Sequence, residues 1–271
     1  MKSIAVVNQK GGVGKSIFAY NLGYYLARKR NHRVLFIDAD PQGSATSSLR
    51  TYMTELVATQ FYDNKPITYP QTPENLVLAR ADDSLKNVER MDESVLLSQL
   101  GAQLKHAAKY FDYCVIDTPG ANTKSVGSFL VNATHVVVPT AIDGYSLNTA
   151  IKMLQRIVGV QQHFNKNLVN LGLIPTLLKP GAINQRRELE GLMRDYSRYV
   201  LRAVIADRMP YKEAADEGVP VWEYTKRQKR DDFGKPVEDA KGRAIMERVS
   251  NDAAAKEMLE AFDLIYTKVN Q

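Results

Sequence analysis

The sequence predicts an α/β fold, a mostly parallel twisted sheet with helices on both faces. Three observations carry that prediction. Short β-rich runs recur along the 271 residues, and most are continuously apolar rather than alternating, as strands buried on both faces read. Segments with apolar residues at helical spacing separate many of these runs. Hydrophobic residues make up 44% of the chain, enough for a large core in a domain of this length.

The elements follow in order. SIAVVN (3–8) is the first strand; it leads into a glycine-rich turn and a helix expected over 15–30. RVLFID (33–38) and NLVLARA (75–81) are the next strands, followed by a helix over 92–110. YCVIDT (113–118) and HVVVPT (135–140) are strands, and 144–164 reads as a helix. VNLGLIPT (169–176), a helix over 183–199, YVLRAVI (199–205) and a final helix over 251–268 complete the set. The chain is read as one domain. Its charged stretch 225–243 holds Gly234 and Pro236 and lacks an apolar period. That composition suggests a surface loop or a partly disordered insertion.

Composition narrows the function. Cys114 is the one cysteine, so an intrachain disulfide and a paired-cysteine metal or cluster site are excluded. Its apolar surroundings read as those of a buried structural thiol. No stretch approaches the roughly 20 apolar residues that span a bilayer, and the N-terminal apolar run is too short for a signal segment. A cytoplasmic location is expected. The formal charge of +6 favours an anionic partner such as nucleic acid, against the plain alternative of a mildly basic surface.

The string NQKGGVGKSIF, residues 8–18, is the most informative. A strand, a glycine turn and a helix form the setting in which backbone N–H groups wrap a phosphate. Gly11, Gly12, Val13 and Gly14 would supply those donors. Lys15 would reach the β- and γ-phosphates, and the Ser16 hydroxyl would ligate Mg²⁺, with Ile17 next on the helix. The first glycine of the usual G-x-x-x-x-G-K-[ST] pattern is replaced by Gln9, and a lysine, Lys10, follows it. The string K-G-G-V-G-K-S thus resembles the deviant Walker A motif of the ParA/MinD group of P-loop ATPases. FIDADPQGSAT (36–46), CVIDTPG (114–120) and VPTAIDGYSL (138–147) resemble the later motifs of the ParA branch, in the same order, with Asp143 at a position usually acidic.

The resemblance implies a P-loop NTPase fold, bound ATP and Mg²⁺, and slow ATP hydrolysis. It implies that Asp40 orients the attacking water, that Asp38 lies close to Mg²⁺ and the phosphates, and that Asp117 holds the Mg²⁺ shell. It also implies that Lys10 reaches the nucleotide of a facing subunit, so that ATP holds a homodimer together. Adenine contacts are expected from the loops after the sixth and seventh strands, at Thr176 and at Asp207, Arg208 and Met209.

The positive charge has a pattern of its own. On a helix at about 100° per residue, Arg194 and Arg198 fall within about 20° of Arg187, and Arg202 lies about 60° from it. Leu189, Leu192, Met193, Tyr196 and Val200 take the opposite side. Such a stripe suits binding to DNA phosphates without reading of bases. Lys226, Arg227, Lys229 and Arg230 add four cations, and Lys152 and Arg156 share a helix face that extends the patch. The expected function is a partition ATPase that binds non-specific double-stranded DNA as an ATP dimer. It would be nucleoid-associated and released by a ParB-like or other activating adaptor. One alternative keeps the mechanism and moves a protein cargo. Another, a MinD-like regulator of the division site, needs a basic amphipathic tail for the membrane. The chain instead ends AAAKEMLEAFDLIYTKVNQ, which suits docking on the core, so no stable membrane association is expected.

Overall fold

Seven strands form the main sheet of the computed structural model. They are β1 (Lys2–Val6), β2 (Val34–Asp38), β3 (Leu76–Ala79), β4 (Tyr113–Asp117), β5 (His135–Ala141), β6 (Val169–Leu178) and β7 (Ile205–Ala206). Every pair is parallel, and the order is β3-β2-β4-β1-β5-β6-β7. The structure describes residues 1–72, 74–229, 231, 235–238 and 244–271. The helices are α1 (Lys15–Tyr24), α2 (Ser44–Ser48), α3 (Leu85–Val88), α4 (Glu93–Ala107), α5 (Lys124–Asn132), α6 (Gly144–His163), α7 (Ile183–Asp195), α8 (Met209–Glu217) and α9 (Asp252–Val269).

The apolar runs divide between two faces because successive strand residues point to opposite sides. In β1 and beyond it, Ile4 and Val6 join Phe18, Phe36 and Phe262 on the face covered by α1, α8 and α9. Ala5 and Val7 join Leu100, Phe129 and Met153 on the face covered by α4 to α7. The parallel sheet with helices on both faces, expected from the sequence, is the fold that forms. α1 is buried almost all round, as its apolar and aromatic content demands, and it passes into a π-helical turn, Tyr25–Lys29.

Three expectations change. The helix expected over 183–199 ends at Asp195, and Tyr196 leaves helical geometry at φ −128° before a 3₁₀ turn, Ser197–Tyr199. The strand expected over 199–205 shrinks to Ile205–Ala206, with one isolated bridge between Val200 and Leu173. This is the edge of the sheet, where short pairing is the rule; Val200 and Leu201 still bury, on opposite faces. Of the stretch 225–243, expected as a loop or insertion, residues 230, 232–234 and 239–243 lie outside the described residues, and part of the rest pairs. Its β8 (Lys226–Gln228) pairs antiparallel with β9 (Met246–Arg248), and Glu238 bridges to Ala244. The sequence of β8, Lys-Arg-Gln, holds no apolar residue, so no apolar alternation could announce it.

Candidate functional site

β1 lies between β4 and β5 at the centre of the sheet. Ligands of open parallel sheets sit beyond the carboxyl ends of such strands. The chain leaves β1 as a loop pinned on both sides. Asn8 donates from Nδ2 to the Pro139 carbonyl at 2.7 Å and accepts the Lys10 N–H at 3.0 Å. Thr176, buried at the far end of β6, donates its hydroxyl to the Val13 carbonyl at 2.8 Å. Gly12 and Gly14 adopt φ of 74° and 86°, values that strain any residue with a Cβ. Gly14 caps α1 without a side-chain hydrogen bond, and the first turn carries no acidic residue. Its N–H groups therefore face the loop ready for an anion.

Two carboxylates meet beside this loop. Asp38 ends β2 and Asp117 ends β4, and they are register partners; Val6 of β1 pairs with Asp117 on the other side. Asp38 accepts the Thr46 N–H and hydroxyl, both at 2.7 Å, and the Asp40 N–H at 3.2 Å. Burial still pushes its carboxyl up to about 6. Asp117 is fully buried, and neither oxygen has a hydrogen-bond partner. Burial and the neighbouring Asp38 hold its carboxyl well above the usual range; Ser16 and Lys15 lie close enough to oppose that shift, but Ser16 forms no bond to it. Two lone, buried oxygens beside a serine hydroxyl fit a divalent cation. Among the described residues no cluster of three or more His, Cys, Asp or Glu could hold a metal by itself. A cation here would rest mainly on phosphate and water oxygens, as Mg²⁺ usually does.

The two lysines have separate partners. Lys15 is buried, and its Nζ donates to the Lys10 carbonyl at 3.2 Å. Burial lowers its ammonium pKa, while Asp117 and Asp40 oppose that shift. Lys10 instead reaches the start of α6. Its Nζ lies 3.3 Å from each Asp143 oxygen, 2.7 Å from the Ser146 hydroxyl and 5.0 Å from the centroid of the Tyr145 ring. Burial works against ionised Asp143, but bonds from Ser146 and Lys10 bring its carboxyl below the usual range.

A cleft of about 810 Å³ opens over the loop, lined by Gly11, Gly12, Lys15, Ser16, Asp40 and Arg50 among others. An apolar slot adjoins it, between Ile17 and Phe18 of α1, Thr176 and Leu177 of β6, and Tyr211 and Met258. Thr176, Asp207 and Arg208, expected from the sequence to contact adenine, all border this slot. Met209 does not; it is 62% exposed on the outer side of α8. Phe18, Tyr211, Lys212 and Met258 were missed, because an apolar or lysine residue on an ordinary helix carries no motif. Gly120 was also missed as a contact. A Cβ there would stand 3.0 Å from Gly11 N and Cα and 3.1 Å from Lys15 Nζ, so the segment after β4 lies directly on the loop.

The basic residues are less united than expected. Arg187 and Arg194 stay on α7, but the helix ends before Arg198 and Arg202. Arg194 is drawn to its neighbour Asp195 at 2.8 Å. Arg187, Arg198 and Arg202 are exposed without an ion-pair partner among the described residues, and so is Arg186. Arg227 is matched by Glu213 at 2.6 Å and Glu247 at 2.7 Å. Lys226 and Lys229 are exposed, and Arg230 lies outside the described residues. Arg156 turns inward rather than extending the patch, donating to the Thr123 carbonyl at 3.1 Å.

A glycine loop that ends the central strand and caps the next helix, with a buried lysine and strand-end carboxylates round it, makes this a P-loop protein. More narrowly, the chain belongs to the ParA/MinD family of partition ATPases. A family profile described as an AAA domain matches residues 1–170. The sporulation initiation inhibitor protein Soj of Bacillus subtilis is 31% identical over 242 residues, covering 84% of this chain and 93% of Soj. Protein IncC of Escherichia coli is 30% identical over 240 residues, which are 85% of this chain. The chain matches 65% of the length of IncC. Among solved structures, a complex of Cyanothece McdA with ATP matches with a TM-score of 0.77 over 98% of this chain and 96% of that one, at 20% identity. That last likeness is one of fold.

Proposed function

We propose that this chain is a Mg²⁺-dependent ATPase that forms an ATP-bound sandwich homodimer, binds double-stranded DNA without sequence preference, and is released by adaptor-stimulated hydrolysis. The observation that carries the reading is the Asp117 carboxylate, buried and without a partner beside Ser16 and Lys15. Nothing in a purely structural role accounts for a lone buried carboxylate of that kind.

The loop N–H groups from Gly11 to Gly14 and the start of α1 would take the triphosphate, with Lys15 against its outer phosphates. Ser16 and Asp117, with Asp38 close by, would hold Mg²⁺. When bound, that ion neutralises charge on the phosphate oxygens. Asp40, at the edge of the cleft, would orient the attacking water. The slot beside Ile17, Phe18 and Tyr211 suits a flat base, with Thr176, Asp207 and Arg208 around it. Lys10 would exchange Asp143 for the phosphates of a facing protomer and act as an added cation there. Arg187, Arg198 and Arg202, with Arg194, Lys226 and Lys229, would meet DNA phosphates, while Arg227 is held by Glu213 and Glu247. Two such weak faces joined in a dimer gain avidity without new contacts. The working location is the cytoplasm, on the nucleoid, and no helix among the described residues is long and apolar enough to cross a membrane. The same cycle serves a protein cargo equally well, because the adaptor chooses the cargo.

The test is binding to a random-sequence duplex at moderate salt with ATP, with ADP and without nucleotide, using wild type and Asp40→Ala. Tight binding with ATP alone, strongest in the variant that hydrolyses slowly, is expected. Dimers with ATP that bind no DNA in any state would remove DNA from the function.

A further inference from the structure

The C-terminal helix reads in sequence as a segment that docks on the core, and its apolar face does so. Met258, Phe262, Ile265 and Val269 are buried, and Phe262 meets the Phe18 ring edge-on at 5.2 Å. One polar residue of α9 does something the docking does not need. Glu257 collects four hydrogen bonds from the wall of the slot beside the glycine loop. Its Oε1 accepts Arg208 Nε at 3.0 Å and Nη2 at 2.7 Å. Its Oε2 accepts the Ala206 N–H at 3.1 Å, and the Tyr211 hydroxyl lies 3.0 Å away, shared with the Ala254 carbonyl at 2.9 Å. The Glu257 side chain is only 21% exposed. Ala206, Arg208, Tyr211 and the adjoining Met258 all border the slot.

A half-buried carboxylate whose two oxygens are both doubly used is a rigid hub, since each bond strengthens where solvent is partly excluded. It ties the end of β7, the approach to α8 and the first turn of α8 to one point. A planar base needs walls of fixed separation, and a displacement of about 1 Å is enough to spoil a positioned contact.

We propose that Glu257 is a positioning residue for the base of the nucleotide. It holds Arg208 and Tyr211 so that the slot accepts a purine ring, while the glycine loop binds the triphosphate independently of it. The inference rests on the nucleotide reading above and adds a residue that no motif marks. A hub that merely fastened α9 to the sheet would change stability alone. A positioning hub changes recognition of the base and spares recognition of the phosphates.

The experiment measures binding of ATP and of inorganic triphosphate, each with Mg²⁺, to wild type, Glu257→Gln and Glu257→Ala by calorimetry, with thermal midpoints alongside. Loss of a charge-assisted bond predicts that Glu257→Ala weakens ATP about tenfold or more and leaves triphosphate within about twofold. Glu257→Gln keeps one acceptor but sets its NH2 against either the Arg208 donors or the Ala206 N–H, so it should weaken ATP in the same direction and less than Glu257→Ala does. Tyr211→Phe, a smaller change, should weaken ATP relative to triphosphate in the same direction. An unchanged ratio of ATP to triphosphate affinity across all three variants would overturn the inference, whatever the thermal midpoints do. Wild type that binds neither ligand would instead overturn the nucleotide reading, and this inference with it.

Discussion

Asp117→Asn should make the nucleotide-free protein more stable while removing the proposed ATPase activity. Asp117 and Asp38 end neighbouring parallel strands in register, and neighbouring strands lie about 4.8 Å apart. At an effective dielectric of about 20, two unit charges at that distance repel by about 3.5 kcal/mol. Lys15 offsets part of this. The folded protein can escape the rest by keeping a proton on Asp117, but holding one on a carboxyl of ordinary pKa costs about 4 kcal/mol at pH 7. Removing the charge should therefore stabilise the nucleotide-free protein by about 2–4 kcal/mol. The sign in pH follows from both carboxyls being raised on folding. Through these two groups the folded state binds more protons than the unfolded one, so their contribution to stability falls as pH rises from about 4, that of Asp38 until about 6. His135, which burial holds down to about 4, works the other way in both wild type and variant. Urea unfolding in EDTA between about pH 4.5 and 7.5 measures this. The slope should be smaller in the variant, and Mg²⁺ with ATP should reverse the order of stability. The reasoning is refuted if Asp117→Asn is no more stable than wild type at pH 7, or if the gap between variant and wild type does not widen as pH rises across the window.

Other substitutions test separate parts of the site. Lys10→Ala should abolish ATP-dependent dimers in light scattering while leaving nucleotide binding; since its pair with Asp143 is partly exposed, monomer stability should change by less than about 1 kcal/mol. Unchanged dimers would end the cross-subunit role. Gly120→Ala places a methyl 3.0 Å from the loop backbone, so nucleotide affinity by calorimetry should fall about tenfold for an overpacking strain of about 1–3 kcal/mol; an unchanged affinity would mean that the loop yields freely. Arg187→Ala with Arg198→Ala should weaken binding to every duplex and flatten the salt dependence by roughly one unit of slope per lost phosphate contact. Arg227→Ala, whose charge Glu213 and Glu247 already match, should leave that slope unchanged.

Much of the site is legible in the chain because its parts are local. A glycine loop must be contiguous, since one turn of backbone wraps the phosphate; Gly12 and Gly14 sit in the left-handed conformation that explains their identity. Asp38 and Asp117 are legible because each closes an apolar strand. The parallel sheet follows from runs buried on both faces. Periodicity failed where its premise did. The arginine stripe assumed an unbroken helix through Arg198 and Arg202, but the chain leaves the helix at Tyr196. The pairing of β8 with β9 has no apolar alternation to betray it.

What the sequence determined by itself was the set of segments that form the candidate nucleotide site from consecutive backbone and strand-end groups. The tertiary structure decided what lies across from them. It set Lys10 against Asp143 and Ser146, Gly120 against Gly11, and Glu257 beneath Arg208 and Tyr211. Local backbone geometry is written in neighbouring residues. The meeting of side chains up to 136 positions apart is fixed only when strand order and helix packing bring them together.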